Sequence, residues 1–575
     1  MLKMDRKGKK QSNPKPTKDG KKLKRPLNRF EIEQNVGDKS TSSKKLKTVD
    51  KDIDIDPTIS YRILNFFSVF PVMAVFLCCK TCGSEIEFHE TSKRGLGFKL
   101  VIKCKECDPK YIESCPLISN AYEINKRFIF VMRLLGIGLN GAEKFCGLMD
   151  LPRPIFRSFY DSLVKQIHTA AKSICNLSLK SSAQEEKMKT AEALNVQETT
   201  EITVSGDGSW KKRGFSSLFG VSSLIGYYTS KVLDISIKSS FCKACTFWEK
   251  RSNTVEYEEW LQSHADECTA NHEGSSGKME VEGIREMFLR SEDLHNVRYI
   301  NYIGDGDSKT YKAIVDSVPY PVTKKECINH VQKRMGARLR KCKKENKGLG
   351  GKGKLTAKLI DDLSTFYGLA IRRHQNSVDE MYKAIWSTLY HKSSSDDNPK
   401  HDYCPEGPNS WCTWQRAKAV RQSDYTHKTP LPDVVIDAIT PIYKDLSDKR
   451  LLEKCLGGFT QNNNESFNNM IWSIDLKTTS SGGIVVEIAA SIAVCIFNDG
   501  YTDVLKIMEL LGIRIGLSAS QFRDYKDDQR LSLADLRTQA ATREERLRRK
   551  QSRNEAEELA IASEGTSYAP GLDAL

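Results

Sequence analysis

The sequence predicts an α/β protein with a mixed sheet and flanking helices, and two observations support this fold class. Three strand-like runs follow one another between residues 201 and 240, each short and rich in apolar residues. A helical segment and a fourth apolar run, residues 297–303, come next. At 575 residues the chain is too long for one core, so about three or four domains are expected.

Positive charge is concentrated in the first fifty residues. They hold 16 Lys or Arg against 6 Asp or Glu, which gives +10 of the formal net charge of +15. The segment is poor in large apolar residues, so residues 1–58 are predicted to form a disordered basic arm. The runs "KKLKRP" (Lys21 to Pro26) and "KKLK" (Lys44 to Lys47) suit import into the nucleus or contacts with phosphates. A solvated tail that only aids solubility is the alternative.

The most apolar window is "FFSVFPVMAVFLCC", Phe66 to Cys79, and Pro71 interrupts it. A membrane span needs about 20 apolar residues, so this window is expected to be core or interface and no membrane partner is expected. The N-terminus is charged and resembles no secretory signal. The 17 cysteines therefore indicate a reducing compartment, in which they serve as metal ligands or buried thiols.

Two C-x2-C pairs predict a zinc ribbon over residues 59–117. The ligands are Cys79, Cys82, Cys104 and Cys107. Between the pairs, "EIEFHE" and "FKLVIK" alternate apolar and polar residues, which is typical of a β-hairpin. Four thiolates at this spacing suit tetrahedral Zn²⁺, which would substitute for a core too small to fold alone.

A second zinc site is predicted within residues 242–272. Its ligands are Cys242, Cys245, Cys268 and His272, and His264 competes with His272 for the fourth position. A third group, His401, Cys404 and Cys412, has irregular spacing; buried thiols are favoured there and a metal stays open.

Three acidic residues lie where chemistry can use them. Asp207 lies in the strand-like run "EITVSGDGSW", Asp305 follows the fourth strand, and Glu465 begins a helix in "TQNNNESFNN". Strands with a first Asp, a helix, a strand ending on Asp and a late helix with Glu form the element order of the ribonuclease H-like fold. In that fold three carboxylates converge on divalent ions, which activate a water or a 3′-hydroxyl in phosphodiester displacement. Each acid taken alone is more typical of a turn, a cap or a helix start.

The motifs "SGDGSW", "YIGDGDSKTY", "CINHVQKRM" and "TQNNNESFNN" resemble the transposase domain of Mutator-like DNA transposons, in the branch found in animal genomes. The resemblance covers roughly residues 60 to 570. It implies a transposase that cuts DNA at terminal inverted repeats and joins 3′ ends to target DNA, with Mg²⁺ or Mn²⁺ at the catalytic site, structural Zn²⁺ elsewhere, and a homo-oligomer on DNA.

The same resemblance assigns the catalytic residues. Asp207 is the first acid, Asp305 the second and Glu465 the third, while Asp307 competes with Asp305. The C-x2-H pair Cys327 and His330 is expected near the active site, and core packing of a helix start is equally compatible with that pair.

The predicted domains follow from these elements. Residues 118–198 read as a helical region ending in a polar linker, and serve either DNA binding and dimerisation or packing on the catalytic core. The catalytic core occupies residues 199–344 and 456–515, a helical insertion residues 345–455, and a charged tail residues 516–575.

The sequence therefore predicts a nuclear, metal-dependent transposase. A domesticated DNA-binding protein without catalytic activity is the alternative, and a nuclease without strand transfer is a third interpretation.

Overall fold

The computed structural model describes residues 45–46, 52–212, 217–265, 268–306, 308–422 and 425–539. Most of the predicted basic arm, and residues 540–575 of the predicted tail, lie outside these ranges. Residues 52–58 were assigned to the arm, but they pack on the body: Ile53 is buried, Ile55 forms a parallel bridge with Ile515, and Asp56 pairs with Arg514 at 3.1 Å. The folded part of the chain therefore begins before residue 58.

The predicted hairpin between the first cysteine pairs is confirmed. Strands β1 (Ile86–Arg94), β2 (Gly97–Cys104) and β3 (Lys110–Glu113) form an antiparallel sheet in the order β1-β2-β3. Helix α1 (Phe66–Val75) rests on it through the rings of Phe66 and Phe70, which meet Phe98 and Phe88. The rest of α1 is largely exposed. Of the two predictions for this apolar window, core or interface, the prediction of a core is therefore wrong. In the described part of the chain, no helix is both long and apolar enough to cross a membrane.

A long helix follows, where a polar linker was predicted. After the short strands β4 (Leu117–Ile118) and β5 (Ala121–Tyr122), helices α2 (Glu123–Leu134) and α3 (Leu139–Leu148) lead to α4 (Arg157–Leu194). The linker prediction is wrong as far as residue 194, because the polar residues of this stretch are partly buried. Glu186, for example, accepts hydrogen bonds from the backbone of Tyr228 and Thr229. The buried polar side chain of Glu186 therefore binds a turn and does not face solvent.

The central sheet has five strands in the order β10-β9-β6-β7-β8. Strands β6 (Glu201–Trp210), β7 (Phe219–Gly226) and β8 (Val232–Ser239) are antiparallel neighbours. Strands β9 (Arg298–Gly304) and β10 (Thr323–Glu326) run parallel to β6. The mixed sheet predicted from the four apolar runs is confirmed.

Helices connect β8 to β9 and β9 to β10. They are α5 (Lys243–Trp248), a short 3₁₀ turn (Glu249–Arg251), α6 (Val255–His264), α7 (Ser276–Leu289), α8 (Ser291–His295) and α9 (Ser308–Val315). Of these, α7 packs against β6, β7 and β8 and covers one face of the sheet.

The helical insertion has a hydrophobic core of its own. It starts from α10 (Ile328–Glu345) and continues through α11 (Ala357–Arg373), α12 (Val378–Ser393), α13 (Thr413–Ala419), α14 (Asp433–Leu446) and α15 (Lys449–Cys455). The predicted helices are confirmed there.

The chain then returns to the sheet through α16 (Asn462–Ile474), α17 (Gly483–Asp499), α18 (Tyr501–Leu510) and α19 (Leu517–Gln539). Helix α17 is apolar on nearly all sides because it packs against α4, α16 and β8. Helix α19 occupies the start of the predicted tail and contacts α18, and its Arg530 donates to the carbonyl oxygen of Phe497. The folded body therefore extends well past residue 516.

Candidate active site

Asp207 and Asp305 come together because β6 and β9 are parallel neighbours. Ser205 pairs with Ile303 in their register, and two residues further along each chain lie Asp207 and Asp305. Carboxyl ends of parallel strands meet at one edge of a sheet, so these acids share that edge. Two glycines flank Asp207 because neighbours approach closely: a Cβ at Gly206 would meet the Tyr302 ring at 2.6 Å, and one at Gly208 would meet the Glu280 side chain at 2.8 Å.

Helix α16 is fastened to β6 by a series of side-chain hydrogen bonds. Asn464 bonds to Ser205 (Oδ1 to Oγ, 2.7 Å), Asn468 Nδ2 donates to Asp207 Oδ2 (2.8 Å), and Trp472 Nε1 donates to Ser209 Oγ (2.7 Å). The three contacts fit because four residues of helix rise about 6.0 Å while two residues of strand rise about 6.6 Å. We call this set the α16–β6 ladder.

The ladder determines where Glu465 lies. Glu465 follows Asn464 in the first turn of α16, and its charge acts on Asp207. Glu465 is partly exposed, with its Oε1 3.9 Å from Lys333 Nζ. The amides at positions 461, 464 and 468 share one face of the helix, so the asparagine-rich motif contained a signal for this face that sequence analysis did not use.

The electrostatics of the edge centre on Asp207. Burial raises the pKa of the Asp207 carboxyl to about 7, and the negative charges of Asp305 and Glu465 add to the increase, while His330 opposes it. A buried carboxylate beside two other acids is costly unless a cation neutralises the group. The three acids supply only oxygen ligands, which suit hard divalent ions such as Mg²⁺.

A shallow cleft of about 370 Å³ opens over Asp207 and Glu465. Asp207, Glu465 and Asn468 line one part of it, and Lys212 and Lys477 lie at its border. Cationic side chains around an acidic centre can hold the phosphates of a nucleic acid.

Asp305 stays the predicted second acid, with Asp307 as its competitor. Asp307 lies outside the described residues. Asp305 directly follows β9 and its charge acts on both Asp207 and His330.

Cys327 and His330 lie beside the acids at the start of α10. Their mutual hydrogen bond raises the pKa of the His330 imidazole, and it lowers the pKa of the Cys327 thiol although burial alone would raise it. His330 Nδ1 lies 3.0 Å from Gln461 Oε1, and Gln461 Nε2 donates to the Gly206 carbonyl at 2.6 Å. The pair thus connects α10 to the residue before Asp207. Sequence analysis did not find Gln461.

The ribbon cysteines come together as predicted. Cys79, Cys82, Cys104 and Cys107 form a group that can hold a metal ion, with their sulfur atoms within 4.8 Å of one another. Cys82 Sγ and Cys104 Sγ are 3.3 Å apart, and Cys79 Sγ and Cys107 Sγ 3.9 Å. Four sulfurs so arranged are compatible with zinc.

The second cluster forms with a different histidine from the one predicted. Cys242, Cys245, Cys268 and His264 come together, with His264 Nε2 3.3 Å from Cys242 Sγ. The assignment of His272 as the fourth ligand is wrong, because its two ring nitrogens bond to Glu282 Oε2 (2.6 Å) and to the Ser275 carbonyl (3.0 Å). His264 is carried to the cysteines by the last turn of α6.

The third group gains a member that sequence analysis missed. His391, in the last turn of α12, joins His401, Cys404 and Cys412. Cys404 and Cys412 are buried, as predicted. His391 lies ten residues before His401 inside a helix, where no spacing rule marked it.

A family model described as Mutator-like transposase matches residues 61–412. The match includes Asp207, Asp305, Cys327 and His330 and ends before Glu465. No curated protein matches the chain.

Proposed function

The chain belongs to the Mutator-like transposase family, and on that premise we propose that it cleaves DNA at the ends of a transposable element and joins those ends to target DNA. The observation that carries the proposal is the meeting of Asp207, Asp305 and Glu465 at one edge of the sheet. The strand order β10-β9-β6-β7-β8, with three antiparallel and two parallel strands, supports a ribonuclease H-like core.

Asp207, Asp305 and Glu465 would hold the divalent ions. Bound Mg²⁺ or Mn²⁺ would supply Lewis acidity for the scissile phosphate and lower the pKa of the attacking water or 3′-hydroxyl. The chain's own residues prepare this centre. Asn468 orients Asp207, the α16–β6 ladder keeps Glu465 in register with the strand, and the lysines at the cleft position the DNA backbone.

Cys327 and His330 are proposed as positioning residues. They link α10, and with it the helical insertion, to Gln461 and the strand that carries Asp207. A change in the insertion can therefore reach the catalytic edge through this hydrogen-bonded pair.

The proposal extends to partners and location. A transposase acts on two DNA ends, so we propose that the chain assembles as a homo-oligomer on DNA. Its basic arm would carry it to the nucleus, a prediction that rests on the sequence alone because most of the arm lies outside the described residues.

The test is DNA cleavage by the purified protein with Mg²⁺ or Mn²⁺, on the sequences that flank its gene. We expect cleavage by wild type and a loss of about three orders of magnitude in Asp305→Ala and Glu465→Gln, because a catalytic metal contributes several kcal/mol and each 1.36 kcal/mol is tenfold. Asp316→Asn, which alters an exposed acid outside the cleft, is the matched control and is expected to cut normally.

The products decide between the candidate functions. Strands whose 3′ ends are joined to a target plasmid identify a transposase, and cut ends without joining identify a nuclease. Metal-independent DNA binding without cleavage would instead identify a domesticated binding protein. Cleavage that survives in Asp305→Ala would transfer the role of second acid to Asp307.

A further inference from the structure

The helical insertion contains a buried His₂Cys₂ cluster that the catalytic proposal does not use. Its members are His391 at the end of α12 and His401, Cys404 and Cys412 in the irregular segment before α13. His401, Cys404 and Cys412 are at most 3 % exposed. His391 is half-buried, whereas the other imidazole and the two thiols have almost no access to water and need partners of their own.

The distances in the cluster match a tetrahedral metal centre. His391 Nδ1 and His401 Nδ1 are 3.3 Å apart, and the four sulfur-to-nitrogen distances are 3.4, 3.6, 3.6 and 4.0 Å. Zn–N bonds of about 2.05 Å and Zn–S bonds of about 2.3 Å at tetrahedral angles place two nitrogens about 3.3 Å apart and a nitrogen about 3.6 Å from a sulfur. The four donor atoms are therefore spaced as they would be around one metal ion.

The hydrogen bonds around His401 agree with a metal on its Nδ1. A metal at that atom leaves the ring proton on Nε2, which lies 2.9 Å from His427 Nε2 and 2.9 Å from Ser394 Oγ. His427 in turn bonds through Nδ1 to Asp396 Oδ1 at 2.6 Å, so its Nε2 is the acceptor nitrogen. Metal-bound histidines commonly donate their other N–H to such a partner, which fixes the ring.

We propose that this cluster is a structural zinc site. Two imidazoles and two thiolates are the ligands that zinc prefers, and four protein ligands leave no open position for a substrate. The site fastens the segment that contains residues 401–412, which has no helix or strand until α13, to the end of α12. Zinc thereby stabilises the fold of this segment, as a larger apolar core does elsewhere.

Two tryptophans report on the site. Trp414 stacks on His401 with ring centroids 4.9 Å apart, and Trp411 meets the His391 ring edge-on at 5.1 Å. Loss of zinc is therefore expected to change the fluorescence of the folded protein.

The experiment counts zinc in the purified full-length chain by atomic emission. Wild type is expected to carry three zinc ions per chain, one for each cluster, and Cys412→Ala two. The matched control is Cys455→Ala, which removes an equally buried thiol of the same insertion that lies outside the cluster, and it is expected to keep three. A Cys79→Ala change should remove a different ion and leave the tryptophan fluorescence unchanged.

A second pair of variants guards against loss of folding in Cys412→Ala. His391→Cys supplies another zinc ligand and is expected to retain three ions, whereas His391→Phe should retain two. Equal zinc content in Cys412→Ala and Cys455→Ala, or a wild type whose only ions are removed by changes at Cys79 and Cys242, would overturn the proposal. So would thiol titration that finds Cys404 and Cys412 joined in a disulfide in the protein as isolated.

Discussion

Replacing the first acid, Asp207→Asn, is expected to stabilise the protein when Mg²⁺ and Mn²⁺ are absent. Burial and the charges of Asp305 and Glu465 raise the pKa of this carboxyl from 3.8 to about 7. At 1.36 kcal/mol per pH unit, the ionised group costs the folded state at most about 4 kcal/mol, and less because the side chain is partly open to the cleft. Asparagine has the same shape and can still accept the hydrogen bond from Asn468.

The sign of the pH dependence follows from the raised pKa. Below about pH 3 the carboxyl is neutral in both states and contributes no difference; the cost grows as pH rises from about 4 to about 7 and is nearly constant above that. The advantage of Asp207→Asn is therefore expected to be largest at pH 8 and about half as large at pH 5.5. Added Mg²⁺ should make the wild type the more stable of the two. The ion stabilises the wild type by binding to its folded state, and it binds the variant more weakly because one of its ligands is lost.

The measurement is the thermal midpoint of the zinc-loaded protein at pH 5.5 and pH 8, with and without Mg²⁺. Glu465→Gln is the control: its side chain is 42 % exposed, so it should change the midpoint far less. A midpoint for Asp207→Asn that is equal to or below that of the wild type at pH 8 without Mg²⁺ would refute the reasoning. It would mean that the acids are not crowded into a site that requires a cation.

The remaining predictions concern three other parts of the molecule. Asn468→Ala removes the donor to Asp207 and should weaken Mn²⁺ binding about 10- to 100-fold by calorimetry, whereas Asn469→Ala, an exposed neighbour on the same cleft, should leave it within about twofold; equal affinities would contradict the ladder's role. His264→Ala should lower the zinc content by one ion per chain and His272→Ala should not, and the reverse result would restore the sequence-based assignment. Lys231→Met removes the buried ammonium that pairs with both Glu185 and Asp499 and should cost about 3 to 5 kcal/mol in urea unfolding, so a neutral effect would show that these two ion pairs contribute little.

Local patterns predicted the strands of the central sheet well, and the catalytic role of the three acids stays a prediction. The alternation around Asp207 and the apolar run before Asp305 are set by residues next to them in sequence, and most of the apolar residues of these two strands are buried as expected. The helical insertion was likewise readable from apolar residues at helical spacing.

The predictions from sequence fail where a residue far away in the chain determines the local structure. Glu186 lies in a stretch too polar to suggest a packed helix, and only the turn at Thr229, 43 residues later, explains its burial. His264 and His272 are equally suitable ligands by their spacing from the cysteines, and a hydrogen bond to Glu282 holds His272 outside the cluster. His391 carries no mark in the sequence because the residues that surround it are supplied by the fold.

The position of α17 has a consequence for synthesis of the chain. Strand β7 is buried throughout and β8 over most of its length. Helix α17, which covers them with α4, is made roughly 250 residues later, a delay of about 12 to 50 s at the usual 5 to 20 residues per second. During that interval the nascent sheet exposes apolar surface while the insertion, with its own core, can already fold. Production of this protein should therefore depend on chaperones that hold nascent chains, and fragments that stop before α17 should aggregate.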